Sequence, residues 1–409
     1  MNCARRVACL FLAAPVAVLA AGGPPAPREL REELEAWVGR GPAHAGALYV
    51  AARTAARAGD EALAMLWLDR LEKAGSGDEL DPDDFGSFAA GAAFRERADR
   101  FAQAAPPVGS AKATETGCRD LLPEGTAWDA HRREVLVSSG RLRAVFAIGA
   151  DGRCRPVVPQ ADGGLLAVLG MAVDAASDSL WVASTAAPFM ADAKPGEAGT
   201  ALLARIDLAA GRVVESVPHR GGMLNDLAIA GDGTIFVTES AGGAILRLPA
   251  GGRALEPHVP AGTFEGPNGI AVLEAGVLLV ADFHGLSLVA TDASGKVVRD
   301  RLASPPGLYL GGIDGIARRG RQLVAIQNLA GRGRVWSLEV DRAARRVGAK
   351  LLLRGQPDFR NPTTGAIAGG RFLFLADPNL QGAAPAGGVT PLPAGRRGHR
   401  LLALELPAD

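Results

Sequence analysis

Two hydrophobic periods divide the chain. Over residues 27–105 the apolar positions recur at helical spacing, in a background of Ala, Leu, Arg and Glu with few β-branched residues. The spacing predicts amphipathic helices over 28–38, 45–58 and 61–73. The last two join at Gly59-Asp60, where glycine can end the first of them. Another helical stretch opens at 81–85, and residues 104–109, with Pro106 and Pro107, read as a short linker.

Beyond the linker the period becomes that of strands, and a longer repeat emerges: a leading residue, then glycine or a small residue, apolar, alanine, apolar. Six copies fit it. They are Glu124-Gly125-Thr126-Ala127-Trp128, Leu169-Gly170-Met171-Ala172-Val173, Asn225-Asp226-Leu227-Ala228-Ile229, Asn268-Gly269-Ile270-Ala271-Val272, Asp314-Gly315-Ile316-Ala317 and Thr364-Gly365-Ala366-Ile367-Ala368. Their leading residues lie 45, 56, 43, 46 and 50 positions apart, the length of a four-stranded propeller blade. A second β-forming run follows each copy, at 134–139, 179–185, 234–240, 277–283, 322–328 and 372–377. The sixth copy runs out of chain after 401–406, so its outer strand is expected from residues around 112–118, closing the ring and leaving no long open edge. The expected fold is all-β, a six-bladed β-propeller over 108–409 preceded by a small α-helical region over 24–107.

Composition narrows the partners. At 48% apolar content the chain is an ordinary globular one, and 44 basic residues balance 44 acidic ones. That balance lacks the electrostatic footprint of a nucleic-acid binder and points to a small-molecule ligand. Arg5 and Arg6 precede an apolar run over 7–20 with small residues at Val18 and Ala20, the pattern of an export signal cleaved near residue 20. The run is short for a retained membrane anchor, so the mature chain is expected to be periplasmic or secreted. Cleavage leaves Cys118 and Cys154 in an oxidising compartment, either as one disulfide or as two unpaired buried thiols.

In a propeller the residue that begins each innermost strand sits at one rim. Glu124, Leu169, Asn225, Asn268, Asp314 and Thr364 therefore converge, and all but Leu169 offer oxygen. Carboxylates sharing a channel raise each other's pKa unless a cation lies among them. One divalent ion held by Glu124, Asn225, Asn268 and Asp314 removes the conflict, and an all-oxygen donor set favours calcium over a thiolate- or imidazole-preferring metal. Turn capping by Asn and Asp is the alternative, but it leaves their shared repeat position unexplained.

The motifs Pro123-Glu124-Gly125, Asn225-Asp226, Pro267-Asn268-Gly269 and Asp314-Gly315 resemble those of the regucalcin and gluconolactonase (senescence marker protein-like) family of six-bladed propellers, which also includes phosphotriesterases. The resemblance spans residues 121 to 409. It implies that Glu124, Asn268 and Asp314 bind the metal directly, that Asn225 binds metal or substrate, and that Asp314 takes part in hydrolysis of a lactone or ester. The sugar-lactone members tend to carry an arginine two residues before the first asparagine. Met223 stands there, which suits a less polar lactone or ester. The helical region has no counterpart in the minimal family fold. Its segment 45–73 resembles one tetratricopeptide-type hairpin, with Tyr49, Ala52, Gly59, Ala62 and Leu66 at packing positions. One hairpin cannot bury its faces as a stacked array does, so a cap on the propeller is expected before a docking module for a protein partner.

Strand direction returns the end of every second strand to the same rim. The loops there present Glu239, Asp282, Phe283, His284 and Asn328 among others. Asn225, Met223, Asp282, Phe283 and Glu239 are the expected substrate contacts, and His284 is a candidate general base beside the catalytic Asp314. The enlarged loop over 186–200 of the second blade, with Phe189, Met190 and Pro195, is placed to lie over the site. The competing reading is a non-catalytic propeller with a structural metal and a partner-docking hairpin.

Overall fold

The computed structural model describes residues 27–39, 45–75, 79–274, 276–328, 332–356, 359–380, 383–384, 387–389, 392 and 397–407. The expected export segment lies outside them, and among the described residues no helix is long and apolar enough to cross a membrane.

The strand-period runs form six four-stranded sheets. Blade 1 consists of Thr126–Asp129, Glu134–Ser139, Ala144–Ile148 and Cys154–Pro156; blade 2 of Ala167–Asp174, Ser179–Thr185, Thr200–Asp207 and Arg212–Arg220. Blade 3 is Leu224–Ile229, Ile235–Glu239, Ala244–Leu248 and Glu256–Val259; blade 4 is Ile270–Glu274, Val277–Asp282, Gly285–Thr291 and Val297–Arg301. Blade 5 is Ile313–Arg319, Gln322–Gln327, Arg334–Asp341 and Arg346–Leu353. Blade 6 is built from Gly365–Ala368, Arg371–Leu375 and Arg400–Glu405, and takes its outer strand, Lys112–Glu115, from the far end of the domain. That strand pairs antiparallel with Lys112 opposite Ala403 and Glu115 opposite Arg400, as the shortage of strands at the C-terminus requires. Cys118, just beyond it, forms a disulfide with Cys154 in the outer strand of blade 1, with Cα atoms 5.1 Å apart. The seam between first and last blades is thus held by a ladder and a covalent bond.

The first strand of every blade touches those of both neighbours, the sixth touching the first. Six strands converging on one axis leave little room at the second repeat position, which is glycine in five of the six copies and Asp226 in the third. A Cβ on Gly125 would fall 2.1 Å from the Leu169 carbonyl oxygen, and one on Gly315 2.8 Å from the Thr364 Cα. The glycine repeat visible in the sequence is therefore a steric requirement of the channel. Between the blades, alternating strand residues meet in apolar layers, such as Leu279, Leu288, Ile316 and Trp336 between blades 4 and 5.

The helical period gives α1 (Pro27–Val38), α2 (Ala45–Arg57), α3 (Glu61–Ala74), α4 (Pro82–Phe85) and α5 (Ala92–Ala104), with a 3₁₀ turn at Gly86–Ala90. Asp60 caps α3 by accepting from the Leu63 amide at 2.9 Å, and Gly75 ends it with φ 65°. Leu34, Tyr49, Trp67, Phe85 and Phe94 fill their common core. These helices sit on the propeller as a cap. Ala47 and Val50 of α2 pack against Phe283, with Tyr309 alongside, and Arg332 and Arg360 of the rim loops pair with Glu79 and Asp83. All four propeller residues belong to loops on the rim where the innermost strands begin, over blades 4 to 6.

Candidate metal centre

At that rim the inner strands present Glu124, Asn225, Asn268 and Asp314, each fixed from its own backbone outward. The amides of Glu124 and Gly125 donate to Ser138 Oγ at 3.0 and 2.7 Å. The Glu124 carbonyl accepts from Thr363 and Thr364 across the seam at 2.5 and 2.9 Å. Asn225 Nδ2 donates to Ser240 Oγ at 3.1 Å, and that hydroxyl gives its one proton to the Pro267 carbonyl at 2.6 Å. Ser240 can then only accept from Asn225, so the amide is oriented with Oδ1 on the other side. Asn268 Nδ2 donates to Asp314 Oδ1, and Asn328 Nδ2 donates to Asp314 Oδ2.

The outcome is a set of buried oxygens facing no donor. Glu124 Oε2, Asn225 Oδ1 and Asn268 Oδ1 each lack a hydrogen-bond partner, a costly condition for a buried acceptor and far costlier for a carboxylate. Burial, then the neighbouring Asp314 and Asp226 carboxylates, hold Glu124 well above the usual carboxylate range. Burial also raises Asp314, against the opposing hydrogen bonds from Asn328 and Asn268. Asp226, which stands at the glycine position of the third repeat, is pushed up to about 7 by burial, against the amides of Leu227 and Ile270. Three acids that resist ionising around three unpartnered oxygens fit a cation, and the donors, all oxygen, fit a hard one. Among the described residues no three His, Cys, Asp or Glu side chains group as metal ligands, so the two Asn carbonyls are essential to any such set.

Toward blade 2 the rim is apolar. Leu169 packs with Leu166, Ala167 and Met190, flanked by Phe189 and Met223. Met223 therefore joins an apolar side of the site, two residues before Asn225. Glu239 is buried and engages both carboxylate oxygens with loop amides: Oε1 with Met223 and Ala241, at 2.7 and 3.1 Å, and Oε2 with Gly242 at 2.8 Å. It ties the segment before Asn225 to the loop after the second strand of blade 3.

The remaining expected contacts are turned to other tasks. Phe283 is the seat of α2. Asp282 pairs with Arg299 at 2.7 Å and Arg301 at 3.6 Å, and His284 Nε2 lies 2.7 Å from Glu265 Oε2. Asp282, His284, Glu265, Arg299 and Arg301 line a separate cleft of about 480 Å³ on blade 4. Sequence reasoning undervalued Ser240 and Asn328. Both stand one residue past the end of a second strand, and each donates to a proline carbonyl in the segment that enters the next blade, Ser240 to Pro267 at 2.6 Å and Asn328 to Pro362 at 3.0 Å.

The class defined by these features is a six-bladed propeller with an oxygen-lined rim site. No protein-family model matches the chain, and no curated protein matches it. Solved structures that resemble it include the major allergen Mala s 1 of Malassezia sympodialis, 15% identical, with 72% of this chain and 96% of that one covered at a TM-score of 0.56. A gluconolactonase of Xanthomonas campestris is 19% identical over 74% of this chain and 95% of its own, at a TM-score of 0.47. A PQQ-bound aldose sugar dehydrogenase of Streptomyces coelicolor is 18% identical over 73% and 99%, at 0.48. At such identities the likeness is one of fold, and one fold serves many chemistries.

Proposed function

We propose that the chain is an exported, calcium-dependent hydrolase of a lactone or ester. The single observation that carries this reading is that Glu124 Oε2, Asn225 Oδ1 and Asn268 Oδ1, each from the start of an inner strand, are buried without a partner, with Asn268 bonded to Asp314. Those four residues would hold the ion. When bound, it supplies polarisation of the scissile carbonyl and neutralisation of the charge that develops on its oxygen.

Asp314 is the base. Its carboxylate is clamped by the Asn268 and Asn328 amides, and burial raises its proton affinity toward the range useful near neutral pH. It accepts a proton from water as the water oxygen bonds to the acyl carbon. The acyl C–O bond then breaks, and the same proton passes to the departing alkoxide, giving acid and alcohol. His284, engaged with Glu265, has no role in this scheme.

The test is a hydrolysis screen of lactones, aryl esters and phosphotriesters with calcium added or chelated. Turnover that requires calcium and vanishes in a folded Asp314→Ala variant is the expected result. Undiminished turnover in that variant overturns the assignment of the base, and calcium binding with no turnover of any substrate overturns the hydrolase reading.

A further inference from the structure

The rim has one position without oxygen, Leu169, and the loop beside it is built rather than loose. Arg143 is 2% exposed and lies at the root of that loop. It donates to the Leu165 carbonyl at 2.8 Å, the Asp192 carbonyl at 3.1 Å and the Glu197 carboxylate at 2.7 Å. The Ala191 amide donates to the Arg141 carbonyl at 2.9 Å, and Lys194 N closes a turn onto Glu197 at 2.8 Å. A buried guanidinium with three partners fixes both halves of the loop over 186–199.

That fixed loop places two side chains on the rim. Met190 is buried, with its sulfur 3.1 Å from the Ala167 amide. Phe189 is half-buried, and its ring comes within 2.8 Å of where a Gly140 Cβ would stand, a point also 3.3 Å from the Leu122 carbonyl. Phe189 thus spans from the segment that leads into Glu124 to the Leu169 cluster, and Met223 continues the surface to Asn225. Between two expected metal ligands, Leu169, Phe189, Met190 and Met223 form an apolar cluster.

We propose that this wall is the specificity pocket, and that it receives an alkyl or aryl substituent of the substrate in place of a sugar hydroxyl. The inference rests on reading the adjacent oxygens as a hydrolytic centre. A polyhydroxylated aldonolactone would leave hydroxyls facing Leu169, Phe189 and Met223 without partners, a strong basis for rejection, whereas an alkyl tail gains burial there. Phe189 contacts the tail, and Arg143 is a positioning residue that holds the loop.

The experiment uses two parallel series on the full mature chain. One is kcat/KM for γ-lactones with tails from methyl to hexyl, beside glucono-δ-lactone. The other is calorimetric binding of unreactive cyclic ketones bearing the same tails, with and without calcium. Each added methylene should raise both kcat/KM and ketone affinity about fourfold until the wall is covered. Phe189→Ala should flatten both slopes and weaken the longest ketone at least tenfold, with Phe189→Leu intermediate and calcium affinity unchanged. A flat wild-type slope, or a slope that survives Phe189→Ala, overturns the pocket while turnover of any lactone still supports the hydrolase. Tail-dependent ketone binding with no turnover supports the pocket and overturns the hydrolase.

Discussion

Asn328 donates from one amide nitrogen to both the Asp314 carboxylate and the Pro362 carbonyl, the latter at 3.0 Å. The second contact fixes the first: an amide anchored to the strand entering blade 6 cannot rotate away from the acid on blade 5. Removing it by Asn328→Ala should weaken calcium about 10–100-fold, the usual cost of losing a residue that orients a ligand. That bond holds the Asp314 pKa down, so its loss raises the pKa, and the acid limb of the rate profile should move to higher pH. Calcium titration and a pH series of kcat/KM check both effects; no change in either removes Asn328 from the site.

If calcium occupies the proposed site, the raised acids make its binding pH-dependent. A carboxyl whose folded pKa lies above its unfolded value contributes stability that is present below the unfolded value, near about 4, and lost as pH rises through the folded one. Asp226 sets that upper end at about 7, and Glu124 and Asp314 shift in the same direction. The metal-free protein therefore loses this contribution between about pH 4 and 7, whereas bound calcium offsets it. The calcium-induced rise in Tm should be small at low pH, grow across that window and level off above it. Melting curves in calcium and in chelator, taken at unit pH steps, would show a constant difference if these acids did not face the ion.

The Cys118–Cys154 bond spans a separation of 36 residues and sits where the ring closes. The chain-entropy estimate for such a loop is about 3–4 kcal/mol. Paired Cys118→Ser and Cys154→Ser substitutions should lower the denaturation midpoint accordingly, with the strand at Lys112–Glu115 the first to lose amide-exchange protection. Equal exchange there in both proteins would place the closing force elsewhere.

The fold was legible in the sequence because convergence on an axis writes itself at one repeat position: Gly125, Gly170, Gly269 and Gly315 each face backbone of the next blade. The same logic brought Glu124, Asn225, Asn268 and Asp314 to one rim, since a strand's starting residue has nowhere else to be. What the repeat does not encode is radial distance. Phe283 and His284 share the rim by strand direction, yet Phe283 is covered by Val50 of α2 and His284 turns to Glu265, because the loop after the second strand of blade 4 is a docking seat for the cap. Glu239 misled for a different reason. Glycines at 222 and 242 bring loop amides onto its carboxylate, a Cβ at either falling 2.5 or 2.2 Å from its oxygens, and no pattern of residue types announces that a carboxylate will be consumed by backbone.

Gly170 offers a way to disturb the metal centre without altering a donor. A Cβ there would fall 2.5 Å from the Asn225 carbonyl oxygen, 2.6 Å from the Asp226 Cα and 2.7 Å from Asp226 Oδ1. Two of these atoms are backbone, so Gly170→Ala must push the first strand of blade 3 outward, and Asn225 with it. The overpacking should cost about 1–3 kcal/mol. The displaced amide should lower calcium affinity at least tenfold, while Glu124, Asn268 and Asp314 are untouched. Gly231→Ala is the matched control: its Cβ would meet nothing within 4 Å, so stability should change by no more than about 0.5 kcal/mol and calcium binding should hold. If Gly170→Ala destabilises the protein but leaves calcium affinity equal to that of the control, Asn225 is not a ligand, and the ion, if one binds, is held without blade 3.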